Sequence, residues 1–186
     1  MEADFAVELG ADDETLELPW AAPQGGPKYC DLKRHPELLL QIEEAGREPE
    51  LADFLSAMNL AASPFETVKC DTWASTEMNP EEDIFGAAWK FGSYVDIVFT
   101  EGCARFSFAD HEQFAGKVVR LLRKTPEIPA AAEFLIRRCY YVGPEVRDGF
   151  YFTFYLFGYG EDQAQAHGRW AIALKLVENA MRQVSR

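Results

Sequence analysis

The chain has 186 residues, of which 48% are hydrophobic and 13% aromatic, enough apolar surface to fold one domain and to exclude global disorder. Its 18 lysines and arginines stand against 31 aspartates and glutamates, and the net charge of -13 repels nucleic-acid phosphates and anionic membrane surfaces. We therefore expect neither nucleic acid nor a membrane as a partner.

Residues 1–31 are predicted to form an acidic, Pro/Gly-rich N-terminal arm, and residues 32–186 a single α+β domain. The charge of the arm argues against its burial, apart from a short extended piece at residues 15–20 that ends in the apolar anchor Trp20. The acidic start also differs from the basic and then apolar pattern of a signal peptide, so we do not expect secretion by that route.

Residues 35–58 have apolar side chains at helical spacing and are predicted to form two short helices that meet near Gly46. Pro36 and Pro49 each stand where the first turn of a helix tolerates a missing N–H. A longer helix is predicted to begin at Asp110, with Gln113 completing a capping box. The last helix is predicted from about residue 162 to residue 184, on a sustained apolar face.

Four segments rich in aromatic and β-branched residues have the composition of β-strands. They are residues 65–74, 88–100, 133–142 and 149–159. The third is followed directly by the fourth, as the first is by the second, so each pair is predicted to be an antiparallel hairpin. The fourth segment is long, uncharged and aromatic and is predicted to lie inside the sheet, whereas the charged first segment suits an edge.

The order of these elements predicts a two-layer α+β fold with a four-stranded antiparallel sheet, or a five-stranded one, and helices on one face. Two short N-terminal helices precede it. A weak internal similarity, in which Lys69-Cys70 parallels Arg138-Cys139, indicates that one β-β-α unit is used twice.

Alternation along the strands predicts one apolar face that meets the helices and a second face of mixed character. The predicted members of the second face are Lys69, Asp71, Trp73, Lys90, Tyr94, Asp96, Arg138, Tyr140, Tyr151, Thr153 and Tyr155. Tyrosines mixed with charges are typical of recognition surfaces, because tyrosine offers rigid contact area and a hydroxyl. The commoner alternative is a solvated sheet face whose opposite charges neutralise one another.

No catalytic signature of the G-x-S-x-G, H-E-x-x-H or Walker type occurs, and no cysteine or histidine stands at a spacing common in zinc sites. We therefore predict no metal and no cofactor. The four cysteines are dispersed, which is typical of a reducing, cytoplasmic setting. Cys70 and Cys139 fall in strands, on the side expected to form the core, and are predicted to fill it.

Three functional hypotheses follow, in decreasing order of support. The first is a non-enzymatic cytoplasmic binding or adaptor domain that engages a protein or a small ligand through the tyrosine-bearing face, with a homodimer left open. The second is a small-molecule enzyme that uses Asp71 and Asp96 as general acid and base, in a pocket between the sheet and the N-terminal helices. The third is a structural accessory domain with neither pocket nor partner.

Overall fold

The computed structural model describes residues 1–21, 26, 28–100 and 102–185, apart from the side chains of Asp83 and Ile84. The strands are β1 (Glu2–Glu8), β2 (Thr15–Leu18), β3 (Phe65–Ser75), β4 (Trp89–Phe99), β5 (Ala130–Tyr141) and β6 (Arg147–Gly160). The α-helices are α1 (Glu43–Arg47), α2 (Pro49–Met58), α3 (Gly102–Arg105), α4 (Phe108–Leu122) and α5 (Gln163–Val184), and 3-10 helices span Pro36–Gln41 and Pro80–Phe85. The Pro/Gly-rich part of the predicted arm lies largely outside the described residues.

The described strands form one mixed sheet in the order β1-β5-β6-β4-β3, with β2 also paired to β5. β3, β4, β6 and β5 are antiparallel neighbours, as predicted. β1 and β2 run parallel to β5, one after the other along the same edge. The α+β class is therefore confirmed, but the purely antiparallel sheet of four or five strands is wrong, because the described part of the chain contributes six strands.

The two additional strands come from the segment predicted to be an acidic arm. Along β1, acidic side chains alternate with smaller and apolar ones. Ala3 is buried and Phe5 packs on the main core, whereas Glu2 and Asp4 are exposed. The argument from charge fails for this segment, because a half-covered strand needs only every second side chain to be apolar.

β6 lies inside the sheet and β3 at its edge, and both placements confirm the prediction. A β-bulge interrupts β3, where Val68 and Lys69 together lie opposite Asp96. Beyond the bulge, Cys70 returns to the side of the helices, whereas Cys139 in β5 lies on the opposite side. The two cysteines that indicated a repeated unit are thus not equivalent, and the internal duplication itself stays a prediction.

Helices α2, α4 and α5 pack on one face of the sheet and bury the main core. Trp170 of α5 is fully buried, and its indole N–H donates a hydrogen bond to Ser93 Oγ at 2.8 Å. Gly158 of β6 lies against the backbone of α5 at Trp170, where a Cβ would overlap. The lack of a side chain at this point allows α5 to approach the sheet closely.

The ends of the helices differ from the prediction in two places. Ser107, and not Asp110, caps α4, because its Oγ accepts the backbone N–H of Asp110 at 3.2 Å. Residues 36–58 form three short helical segments, and the break before α2 lies at Glu48 instead of Gly46. Glu48 is extended because it precedes Pro49, whose ring disfavours a helical conformation in the preceding residue.

The last helix confirms the prediction: Asp162 caps α5 by accepting the backbone N–H of Gln165 at 2.8 Å. Among the helices that the structure describes, none is both long enough and apolar enough to cross a membrane.

Candidate binding surface

The face of the sheet that points away from the helices has one end covered by β2, a charged centre and an open aromatic part. At its other end the 3-10 helix Pro80–Phe85 covers Lys90 and Tyr159. Side chains of β4 and β6 alternate between the two faces, as predicted. Those on this face are Lys90, Tyr94, Asp96, Val98, Tyr151, Thr153, Tyr155, Phe157 and Tyr159. They differ greatly in burial, so their place along the strands decides which of them can meet a partner.

The covered end lies beneath β2 and the residues that follow it. The side chains that pack together here are Leu16, Leu18, Trp20, Tyr29, Val68, Val98, Cys139, Tyr141 and Tyr151. Tyr151 is fully buried, and its hydroxyl has no hydrogen-bond partner among the described residues. Burial raises the pKa of the Cys139 thiol to about 12, as expected of an unreactive buried cysteine. Because Tyr151 is fully buried in this cluster, its side chain packs beneath β2 and is not exposed to a partner.

The charged centre is a network of ion pairs and hydrogen bonds around Asp96. Thr153 Oγ1 donates to Asp96 Oδ1 at 2.7 Å, and Lys69 Nζ lies 3.8 Å from Asp96 Oδ2. Arg137 donates to Thr153 Oγ1 at 3.1 Å and to Glu14 Oε2 at 3.2 Å. Glu14 also accepts from Lys69 at 3.2 Å, so this residue of the β1–β2 connection bridges the two cations.

Burial raises the pKa of Asp96 to about 6, since only 2% of the residue is exposed. The Thr153 hydroxyl and the Lys69 ammonium favour the ionised form but do not offset the loss of hydration. The oxygens of Asp96 thus contact side chains of its own sheet, and the arrangement is that of an internal ion pair.

The open part carries four half-buried aromatic side chains, Trp73, Tyr94, Tyr155 and Phe157, which we call the aromatic platform. The ring centroids of Tyr94 and Tyr155 are 6.0 Å apart, and those of Tyr155 and Phe157 are 6.4 Å apart. Trp73 and Phe157 meet at 5.9 Å across β4, because Gly92 lies between them. A Cβ at Gly92 would lie 2.8 Å from the Trp73 ring and 2.9 Å from the Phe157 ring.

Carboxylates stand at both ends of the platform. The register aligns Asp71, Tyr94, Tyr155 and Glu133 across four neighbouring strands. Since neighbouring strands are about 4.8 Å apart, Asp71 and Glu133 are separated by roughly 14 Å. The ion pairs of the described chain include neither carboxylate. Burial raises the pKa of Glu133, and the nearby carboxylates of Glu8 and Asp4 add to this rise, while Arg137 opposes it.

Both lysines predicted for this face are engaged within the molecule. Lys90 Nζ lies 2.8 Å from Glu82 Oε2 and 5.6 Å from the centroid of the Phe157 ring. Lys69 bonds to the charged centre and lies 5.2 Å from the Trp20 ring. The surroundings of the platform therefore keep a negative charge.

Two predicted members of this face, Arg138 and Tyr140, lie on the other side of the sheet. Arg138 pairs with Phe150, which packs on the helical core, and Arg137 takes the place assigned to Arg138. The error has a physical cause. Arg138 was assigned to this face as the counterpart of Lys69, but the bulge in β3 shifts the alternation of that strand by one residue, and β5 has no matching bulge. A shift of one residue transfers every following side chain to the opposite face.

A cavity of about 540 Å³ lies beside the edge of β3, between this strand and the segment that contains Trp20 and α1. Its wall combines the apolar side chains of Ile42 and Leu55 with polar ones, including Asp71. Asp96 is not part of the described wall. The two carboxylates of the enzyme hypothesis are thus not brought together in this space.

Comparisons with protein-family models, with curated proteins and with solved structures gave no significant match.

Proposed function

We propose that this protein is a non-enzymatic binding domain whose aromatic platform recognises a positively charged segment of a partner protein. The supporting observation is the row Asp71, Tyr94, Tyr155 and Glu133, in which two aromatic rings lie between two carboxylates that form no ion pair with a described lysine or arginine. Aromatic rings attract cations through their quadrupole, and carboxylates add Coulombic attraction.

The length of the row favours a polypeptide over a small ligand. Carboxylates roughly 14 Å apart match two cationic side chains four residues apart in an extended segment, since each residue advances by about 3.4 Å. The rings are already held by neighbouring strands, so binding loses little side-chain entropy. The net charge of -13 also attracts a basic partner over long distances.

A reducing, cytoplasmic location is part of this proposal. The four cysteines are free thiols. Burial raises the pKa of Cys70 and of Cys139 to about 12, which suits packing residues better than redox-active ones.

Two labelled peptides test the proposed function by fluorescence anisotropy. One carries lysines at two positions four residues apart in an otherwise neutral sequence, and the other carries glutamates there. We expect the lysine peptide to bind and the glutamate peptide not to bind. Tyr155→Ala should weaken binding about tenfold, equivalent to the ~1.4 kcal/mol that a well-placed cation–aromatic contact contributes.

A matched pair of variants separates the platform from overall charge. Asp71→Asn with Glu133→Gln removes the two carboxylates of the row and leaves the rings in place. Asp148→Asn with Glu112→Gln removes the same charge from exposed positions outside the row. We expect the first pair to weaken binding and the second to leave it nearly unchanged.

Three results would contradict the proposal. The first is equal affinity for the two peptides, and the second is an equal loss of affinity in the two variant pairs. The third is a homodimer, detected by sedimentation, that Tyr155→Ala dissociates. The platform would then be occupied by a second copy of the chain and not by a different partner.

The cavity beside β3 gives partial support to the alternative, a small-molecule enzyme. Its position between the sheet and the N-terminal helices is the one this hypothesis names, and Asp71 lines it. Asp96, however, bonds to Thr153 and Lys69 instead of facing the same space. The geometry therefore favours a binding domain.

A further inference from the structure

Three side chains with metal-ligating atoms converge where the start of α2 meets α5. Glu48 directly precedes α2, Glu50 is the second residue of that helix, and His167 lies one turn into α5. One ligand atom from each lies within 4.8 Å of the others. The expectation of no metal was based on the spacing of cysteines and histidines along the chain. Such spacing cannot reveal a site made of two glutamates and a histidine that are far apart in sequence.

Glu50 supplies a second and independent observation. Its Oε2 atom is enclosed by protein, and no hydrogen bond from the described part of the chain reaches it. A carboxylate oxygen withdrawn from water requires a donor or a cation. Among the described residues, no lysine or arginine forms an ion pair with Glu48 or Glu50. Glu48 pairs with His167.

The imidazole of His167 is held in a defined orientation. Its ring lies 4.7 Å from the Phe91 ring and 5.3 Å from the Trp170 ring, between centroids. Its Nε2 atom lies 2.7 Å from Glu48 Oε2. A metal that binds at Nε2 needs the neutral ring with its proton on Nδ1, so binding displaces any proton held between His167 and Glu48.

We infer that Glu48, Glu50 and His167 form a binding site for one divalent transition-metal ion. One imidazole and two carboxylates suit Zn²⁺ or Co²⁺, and water can complete the coordination. Bonds of about 2.0–2.2 Å place two ligands of one ion roughly 3 Å apart. The pair of His167 and Glu48 therefore needs to open only slightly, while Glu50 moves inward.

An ion at this position would link α2 to α5 on the helical side of the sheet. It would bind the folded chain but not the unfolded one, and would stabilise the folded state in proportion to the logarithm of its concentration. The aromatic platform lies on the opposite face of the sheet, so this inference does not rest on the proposed function.

Titration calorimetry and thermal unfolding of the full chain with ZnCl2 test the site. We expect one Zn²⁺ per chain and a rise in Tm that grows with Zn²⁺ concentration. His167→Gln and Glu50→Gln should each weaken binding at least about tenfold and remove most of the rise in Tm. Glu50→Gln keeps the size of a partly buried side chain and removes a charge whose enclosed Oε2 has no donor among the described residues. This variant should therefore fold at least as well as the wild type without metal, and it keeps the test valid if His167→Gln unfolds.

His35→Gln is the matched control. His35 Nδ1 lies 3.2 Å from Glu37 Oε1, a histidine–glutamate pair of the same kind that belongs to no cluster of three ligands in the described chain. The control should bind Zn²⁺ as the wild type does. Unchanged affinity in both His167→Gln and Glu50→Gln would overturn the inference, because the ion would then lie elsewhere, such as at the exposed thiol of Cys103. Lack of binding to the wild type at about 1 mM Zn²⁺ would also overturn it.

Discussion

Replacing Asp96 by asparagine measures how much the titration of a buried carboxyl changes the stability of this fold. The pKa of Asp96 is about 6 in the folded chain and 3.8 in the ordinary, hydrated state, because burial penalises the charged form. At about 1.4 kcal/mol per pH unit, this difference amounts to about 3 kcal/mol.

The sign of the effect follows from which state binds the proton more tightly. Folded Asp96 has the higher pKa, so its protonation stabilises the folded state. This contribution is fully present below about pH 4 and is lost as the pH rises through about 6. Asp96→Asn removes it, and we expect the free energy of unfolding of the variant to rise by about 3 kcal/mol relative to the wild type between pH ~4 and pH ~8.

Urea unfolding of both proteins at about pH 4, 6 and 8 measures this difference. Groups that titrate independently of Asp96 cancel between the two proteins, and Asp148→Asn serves as a control for the loss of an exposed carboxylate. A difference that stays constant within about 0.5 kcal/mol would refute the reasoning. A change of opposite sign would show that Thr153 and Lys69 outweigh burial.

Three further predictions concern packing and thiol reactivity. Gly158→Ala should lower the free energy of unfolding by at least about 2 kcal/mol, because its Cβ would overlap the backbone at Trp170; an unchanged Tm contradicts this. Tyr151→Phe should leave the free energy of unfolding unchanged or raise it by up to about 1 kcal/mol, since no described group bonds to the hydroxyl. Urea unfolding measures this, and a clear decrease in the free energy of unfolding would contradict it. In a thiol titration of the native protein, the exposed Cys103 should react promptly. Cys139 should react only on unfolding, because it is buried and burial raises its pKa, and prompt reaction of Cys139 would contradict this prediction.

Much of the candidate site could be predicted from alternation within single strands. Tyr94 and Tyr155 lie on the face opposite the helices, as their positions in β4 and β6 indicate. Trp73 joins them from β3. The sequence could not distinguish these residues from Tyr151, which has the same type and the same side, because the difference arises from β2 lying over one end of the face.

Other parts of the site depended on contacts between distant segments. Glu133 became part of it through the register of β5 against β6. Glu14, assigned to an exposed arm, bridges Lys69 and Arg137. Charge and composition describe a segment on average, whereas these roles depend on which side chain faces which neighbour.

The sequence alone determined the four strands and the two longer helices of residues 65–184, the interior position of β6 and the separation of an apolar from a mixed face. These features follow from local periodicity and from the need to bury apolar side chains, which each segment carries within itself. The tertiary structure decided the parallel edge formed by β1 and β2, the side taken by Arg137 and the enclosure of Asp96. Each of these depends on pairing and packing between segments distant in the chain, whose free energy exists only once the chain has folded.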